Sequence, residues 1–306
     1  MKSSSIVLLF MIAVCVACSN QRETVSGQKF TVVKAGDGKE IPARRIMIMD
    51  FVFKDNKDSV WFDTRKNPYP QIMQKSPKPQ AGDKLMECIY MMTKGDSVQV
   101  KMTASDVFQK TFRQPIPPKI DSTAIFTFLI RMTDALDSAQ FEKYRTDLVA
   151  QQNEKALKHQ TEQLGKDTVI IDNYLKEKNI KAKRTASGIR YLITKEGKGP
   201  VAVSGKTASV NYAGYLLSGK CFDTSIESIA KAQNIYREGG RYKPYDVVLG
   251  RGSVIRGWEE ALLLMNKGAK MTVYIPSALA YGPQKRGTDI IEDSILTFDL
   301  EVTEIK

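Results

Sequence analysis

The sequence predicts an α+β protein with two domains. Each is a curved antiparallel sheet wrapped on one short helix, and a helical spacer joins them. Three observations predict this. Residues 187–306 alternate apolar and polar side chains in short runs, with one short helical pattern among them. Residues 28–135 repeat the same order of blocks. Residues 136–186, between them, are polar and helix-like. A length of 306 residues also suits two domains.

The chain starts with a different signal. Lys2 precedes an apolar run from Ile6 to Ala17. The run is too short for a bilayer, which needs about 17–25 residues, but suits a secretory signal over residues 1–17. It ends Val16-Ala17-Cys18-Ser19-Asn20. A small residue followed by cysteine resembles a bacterial lipobox. That resemblance implies cleavage before Cys18 and a diacylglycerol on its thiol. The departure is Cys15, where leucine or valine is usual, and a plain secretory signal is the alternative. Ser19 after the cysteine, by resemblance to Gram-negative lipoproteins, favours the outer membrane facing the periplasm. Residues 18–27 lack apolar periodicity and are expected to form a tether.

Net charge is +12, yet no basic run of five or six occurs and acidic residues are interleaved throughout. A nucleic-acid footprint would be a clustered stripe, so no nucleic-acid partner is expected. Cys88 and Cys221 remain after processing and read as small core hydrophobes. His159 stands in a charged stretch without ligands at metal spacing, so no metal site is expected.

The C-terminal half carries the chemistry. Gly188-Ile189-Arg190-Tyr191-Leu192-Ile193 alternates and is followed by the turn Gly197-Lys198-Gly199-Pro200. Further strands are predicted at 208–212, 221–224, 271–275 and 295–305, with one helix from Gly257 to Met265. The blocks Val210-Asn211-Tyr212-Ala213-Gly214-Tyr215, Gly219-Lys220-Cys221-Phe222-Asp223-Thr224 and Val248-Leu249-Gly250 are ordered along it. Val254-Ile255-Arg256-Gly257-Trp258-Glu259-Glu260-Ala261, Ala280-Tyr281-Gly282 and Leu296-Thr297-Phe298-Asp299-Leu300-Glu301 complete the series. Together they resemble the FKBP-type peptidyl-prolyl isomerases over residues 187–306.

That resemblance implies a rotamase without cofactor or metal. It implies that Trp258 floors a proline pocket lined by Tyr212, Phe222, Tyr245, Val254, Ile290 and Phe298. The Ile255 N–H and the Tyr281 hydroxyl would donate to substrate carbonyls, and Asp223 would face the twisting carbonyl. A carboxylate there would be costly to bury without a task or a partner. Departures from the family pattern are Ser253, Asp289 and Arg286. A long insertion also runs from Thr224 to Lys243.

In residues 28–135, Phe62-Asp63-Thr64 matches Phe222-Asp223-Thr224. Met91-Met92-Thr93-Lys94-Gly95 matches Leu264-Met265-Asn266-Lys267-Gly268. Aligned on Lys94-Gly95, Leu85 stands at the Trp258 position and Phe108 at the Tyr281 position. This half is expected to be a degenerate, inactive copy in which Phe62 and Asp63 survive. The spacer is expected as two helices: one ending at Gly165, the other capped at Asp167-Thr168 and ending near Asn179. The first is read as a spacer or dimer element.

The expected function is prolyl isomerisation that assists folding of exported proteins in the bacterial envelope. The expected partners are proline-containing unfolded or nascent exported chains, and the membrane through the N-terminal lipid. A homodimer through the spacer helix is a further expected partner. The alternatives are a non-catalytic chaperone and a structural component of an envelope complex.

Overall fold

The computed structural model describes residues 20–67, 69–77 and 82–306. The predicted signal over residues 1–17 and the lipidation site Cys18 lie outside the described residues. The chain divides into two compact units, Met1–Gln152 and Asn153–Lys306, and each is described by itself.

The first unit contains β1 (Gln21–Glu23), β2 (Lys29–Lys34), β3 (Ile46–Lys54), β4 (Val60–Asp63) and β5 (Gln71–Gln74). Helix α1 (Lys84–Tyr90), β6 (Ser97–Thr103) and β7 (Ile125–Leu136) follow. The sheet order is β1-β2-β6-β7-β3-β4, with β5 also on β3, and all pairs are antiparallel. Along β7, Phe126, Phe128, Ile130 and Met132 are buried while their neighbours are less so. That period of two is one sheet face turned to the core. Leu85, Cys88 and Ile89 of α1 belong to the same core.

Long helix α2 (Ser138–Glu177) crosses the division between the units. The second unit then has β8 (Lys183–Arg184), β9 (Arg190–Lys195), β10 (Thr207–Leu216) and β11 (Cys221–Thr224). After these come α3 (Glu227–Ala232), β12 (Tyr245–Val248), α4 (Arg256–Leu263), β13 (Lys270–Ile275) and β14 (Leu296–Ile305). Its order is β11-β10-β14-β13-β9-β8, with β12 also on β10. Each strand of the first sheet maps onto the strand seven later in the second. Helices α1 and α4 sit at the same point in the series. The block repeat read from the sequence is therefore a repeat of topology, and the expected α+β architecture holds for both units.

Two expectations change. The tether is not free throughout residues 18–27: Gln21–Glu23 pair with Lys29–Thr31 as an edge hairpin. Their alternation was invisible because an edge strand has little apolar surface to display. The spacer is one helix, not two. Gly165 lies inside it, although glycine costs a helix about 1 kcal/mol. Docking offsets this: Ile171 and Leu175 pack with Tyr274 and Ile295 in a small core. Asp167 is buried inside the helix instead of capping a new one. Asn179 (φ +54°) ends the run in a left-handed conformation. Among the described residues no helix is long and apolar enough to cross a membrane.

Candidate active site

The second sheet curls around α4 and leaves a cavity of about 300 Å³ at one end. Strand β10 supplies Tyr212, β11 supplies Phe222 and Asp223, and β12 supplies Tyr245. The loop entering α4 brings Ser253, Val254 and Ile255, and α4 itself brings Trp258. Tyr281 comes from the turn after β13 and Phe298 from β14. All the site residues expected from the sequence line this cavity except Ile290. That residue is buried and lines a larger adjoining cavity of about 760 Å³, which shares Tyr212, Phe222 and Asp223. Ser253, read only as a rim departure, lines the pocket itself.

The floor is aromatic. Trp258 meets Tyr212 edge-on at 5.1 Å between centroids and Phe298 edge-on at 5.2 Å. Phe222 meets Phe298 at 5.7 Å and 88°. Such perpendicular contacts place ring edges against ring faces, the favourable quadrupolar arrangement. Gly214 makes room for this wall. A Cβ there would lie 2.7 Å from both Phe222 Cζ and Phe298 Cε1. The Trp258 indole N–H is buried without a hydrogen-bond partner among the described residues. An unpaired buried donor is uncommon away from functional sites.

Polar groups ring the mouth. The Tyr212 hydroxyl donates to Asp223 Oδ2 over 2.7 Å. Burial, then this bond, raises the Tyr212 pKa above the ordinary tyrosine range. Asp223 is exposed, contrary to the expectation of a buried carboxylate. One oxygen is anchored by Tyr212 while water still reaches the group. The Ile255 N–H and the Tyr281 hydroxyl have no acceptor among the described residues. Ile255 is the N-cap of α4 with φ −61° and ψ 147°, and its side chain cannot cap the helix. In the first unit Asp83 caps α1 by accepting from the Met86 N–H at 3.2 Å. The equivalent helix is therefore sealed in one unit and open in the other.

Ladder register aligns the two units residue by residue. Gly95 N–H donates to Met132 O and Gly268 N–H to Val302 O. Counting from these bonds, Val100 opposite Phe128 corresponds to Val273 opposite Phe298. Phe128 faces Phe53, and Phe298 faces Gly214. Phe53 in turn pairs with Phe62, whereas Gly214 pairs with Asp223. The match of Phe62-Asp63-Thr64 to Phe222-Asp223-Thr224 is thus one residue out of register. An apolar ring occupies the place of Asp223, so the carboxylate does not survive. Asp63 instead holds Arg65 through two 2.8 Å bonds, and that guanidinium lowers its carboxyl pKa to about 2. Phe53 stacks on Phe128 at 4.7 Å where the second unit has only Gly214. A cavity of about 280 Å³ remains in the first unit, lined by Met49, Phe51, Met73, Leu85 and Phe128 among others. Among the described residues no carboxylate or tyrosine lines it.

Both cysteines read as core residues are buried and free. Burial pushes the Cys88 thiol up to about 12 and Cys221 upward as well, so neither is a ready nucleophile.

Comparison with known proteins places this geometry. The family model for FKBP-type peptidyl-prolyl cis-trans isomerase matches residues 199–303, the span that builds the pocket. A probable isomerase of this type from Neisseria meningitidis, FkpA, is 30% identical over 209 residues, covering 68% of each chain. The chain belongs to the FKBP-type peptidyl-prolyl cis-trans isomerases. A probable FKBP-type isomerase of Haemophilus influenzae is 37% identical over 132 residues, 43% of this chain and about half (48%) of that one. The crystal structure of FkpA from Escherichia coli is 27% identical, covering 55% of this chain and 70% of that one, with a TM-score of 0.37. The family model stops short of the first unit, so the FKBP-type match and the open α4 pocket fall on the same half of the chain.

Proposed function

We propose that the pocket around Trp258 isomerises Xaa-Pro bonds in polypeptides. The supporting observation is an aromatic cavity flanked by two unused donors, the Ile255 N–H and the Tyr281 hydroxyl. Uncatalysed, the bond turns over in tens to hundreds of seconds, because rotation breaks amide resonance. The planar amide separates charge between nitrogen and oxygen, and the twisted amide does so less. An apolar site therefore destabilises the planar form relative to the twisted one. Trp258 receives the proline ring, while Ile255 N–H and Tyr281 Oη hold carbonyls on either side. Asp223, anchored by Tyr212, faces the rotating carbonyl, and its negative charge acts on the changing dipole. A protease-coupled assay of the full chain on proline peptides tests this. Isomerisation that falls on Asp223→Ala and on Trp258→Leu supports it, and a wild-type rate equal to the solvent rate rejects it.

The same reading places the protein in the bacterial envelope, where it assists folding of exported chains. Cleavage before Cys18 would leave a lipid-anchored N-terminus in the outer membrane. Labelling with radioactive palmitate, lost in Cys18→Ser, tests the anchor. The expected use of α2 as a dimer element is tested by sedimentation of the chain.

A second reading rests on the methionine-rich cavity of the first unit. Methionine adapts to varied apolar shapes. The first unit would hold unfolded clients without catalysis, and suppression of client aggregation that survives Trp258→Leu would favour it.

A further inference from the structure

The larger cavity beside the pocket has no role in the reading above. One wall is the insertion after β11 and the other is the loop from Arg286 to Ile290. Three arginines line it: Arg237, Arg241 and Arg286. Its two carboxylates are already engaged. Asp223 accepts from Tyr212, and Asp289 lies 2.6 Å from Lys220, whose ammonium holds its carboxyl below the usual range. Neither Arg237 nor Arg241 has a carboxylate partner among the described residues. Asp223 keeps its charge, so three arginines and Lys220 against two carboxylates leave the cleft with a net charge of +2.

The insertion holds these charges in place. The Arg237 N–H donates to the Tyr242 hydroxyl over 2.8 Å. Tyr236 stacks on Tyr242 at 5.3 Å and 13°. Gly240 lets the turn close: a Cβ there would approach Tyr242 Cε2 to 2.8 Å. On the opposite wall Arg286 lies 5.2 Å over the Tyr281 ring. Aromatic rings thus shape the cleft and fix the backbone from which both insertion arginines project.

We propose that this cleft is a subsite for aspartate and glutamate residues flanking the proline of a polypeptide substrate. The proposal rests on the isomerase reading of the adjoining pocket. A substrate chain leaving that pocket across the shared rim of Tyr212, Phe222 and Asp223 enters the cleft. Guanidinium forks match carboxylates in shape and charge, and they bind them through paired hydrogen bonds. A lysine-flanked substrate meets like charge instead.

The test uses the full chain and three proline peptides that differ only in their flanks: acidic, uncharged or lysine-bearing. Binding is read by fluorescence anisotropy and turnover by the coupled assay. The acidic peptide should bind about three- to ten-fold more tightly than the uncharged one at low salt, from two or three exposed ion pairs. That ratio should fall toward one at 0.5 M salt, where screening is about 4 Å in range. It should also fall toward one in the double variant Arg237→Gln, Arg241→Gln. Equal binding of the three peptides overturns the proposal, as does a preference that the double variant keeps. Binding needs no turnover, so a failure of the isomerase reading appears separately, as binding without rate enhancement on any peptide.

Discussion

Tyr212 donates its hydroxyl hydrogen to Asp223 Oδ2 across 2.7 Å, joining adjacent strands at the mouth of the pocket. The bond fixes the carboxylate in one direction while leaving its other oxygen free. If the pair acts as a unit, its parts are not additive. Asp223→Ala should lower kcat/KM roughly ten-fold and Tyr212→Phe roughly three- to ten-fold, on the scale of one hydrogen bond to a charged group. The double variant should be no worse than Asp223→Ala alone within about two-fold. Multiplication of the two losses would show that Tyr212 acts independently of Asp223.

Trp258→Leu installs the residue that the first unit carries at the same place, Leu85. The fold should survive, since an equivalent α1 core is built on leucine. Stability should drop by about 2–4 kcal/mol from lost ring contacts and residual cavity volume. Turnover should fall far more than this unfolding explains. Urea denaturation and the peptide assay, run on the same preparation, separate the two.

Gly214→Ala probes the wall. The new methyl would sit 2.7 Å from the Phe222 and Phe298 rings. Both rings must shift, at a cost of about 1–3 kcal/mol. Near-ultraviolet circular dichroism should change with little change in far-ultraviolet signal, and KM should rise. An unchanged KM would mean the two rings do not shape the substrate site.

Helix α2 reaches the turn that carries Tyr281. Asp167 Oδ2 accepts from the Ser277 N–H at 2.7 Å and from its hydroxyl at 2.5 Å, with Gln163 donating to the other oxygen. Gln160 also donates to Ala278 O at 3.3 Å. Asp167 is thus a positioning residue. Asp167→Asn should raise KM several-fold more than it lowers kcat, because the loosened turn misplaces a binding donor. Trp258 fluorescence should stay native. A parallel loss of folded fraction and rate would reduce the role to stability.

Asp172 forms a two-pronged pair with Arg190, at 2.8 and 2.7 Å. The guanidinium is nearly buried, whereas the carboxylate is half exposed. The hydrogen bonds from Arg190 lower the Asp172 carboxyl pKa. A carboxyl lowered in the folded state binds fewer protons there than when unfolded. Its contribution is therefore complete above the unfolded value, about 3.9, and is lost as pH falls through the lowered one. Asp172→Asn should cost about 1–2 kcal/mol at pH 7, less than a fully buried pair because water screens the carboxylate. Its urea midpoint should also depend less on pH below 4 than the wild type. Identical pH slopes would remove Asp172 as a contributor to acid sensitivity.

The pocket was legible because its residues sit in contiguous blocks with distinctive chemistry. Gly257-Trp258 on a short helix and Phe222-Asp223-Thr224 on a strand carry both fold and site in a few positions. Ile290 is buried in the core that holds Trp258 and Phe298 and lines the adjoining cavity, and a loop residue has no period to fix such a direction. Only the walls around it decide which of two adjoining cavities it lines. The Phe62-Asp63 match failed for a related reason. Three identical letters outweigh a one-residue slip on paper, but in a ladder that slip turns every side chain to the other face. The helix break at Gly165 was misjudged because intrinsic propensity is weak beside burial of Ile171 and Leu175.

The sequence by itself determined that there are two sheet-and-helix blocks, that the second carries the aromatic and carboxylate set, and that a polar helical stretch lies between. These follow from periodicity and composition, which are local. Tertiary structure alone decided which residues face one another. It put Phe53 where Gly214 leaves room and gathered three arginines beside the pocket. Each depends on register between distant segments, and register is set by packing across the sheet, which no single segment contains.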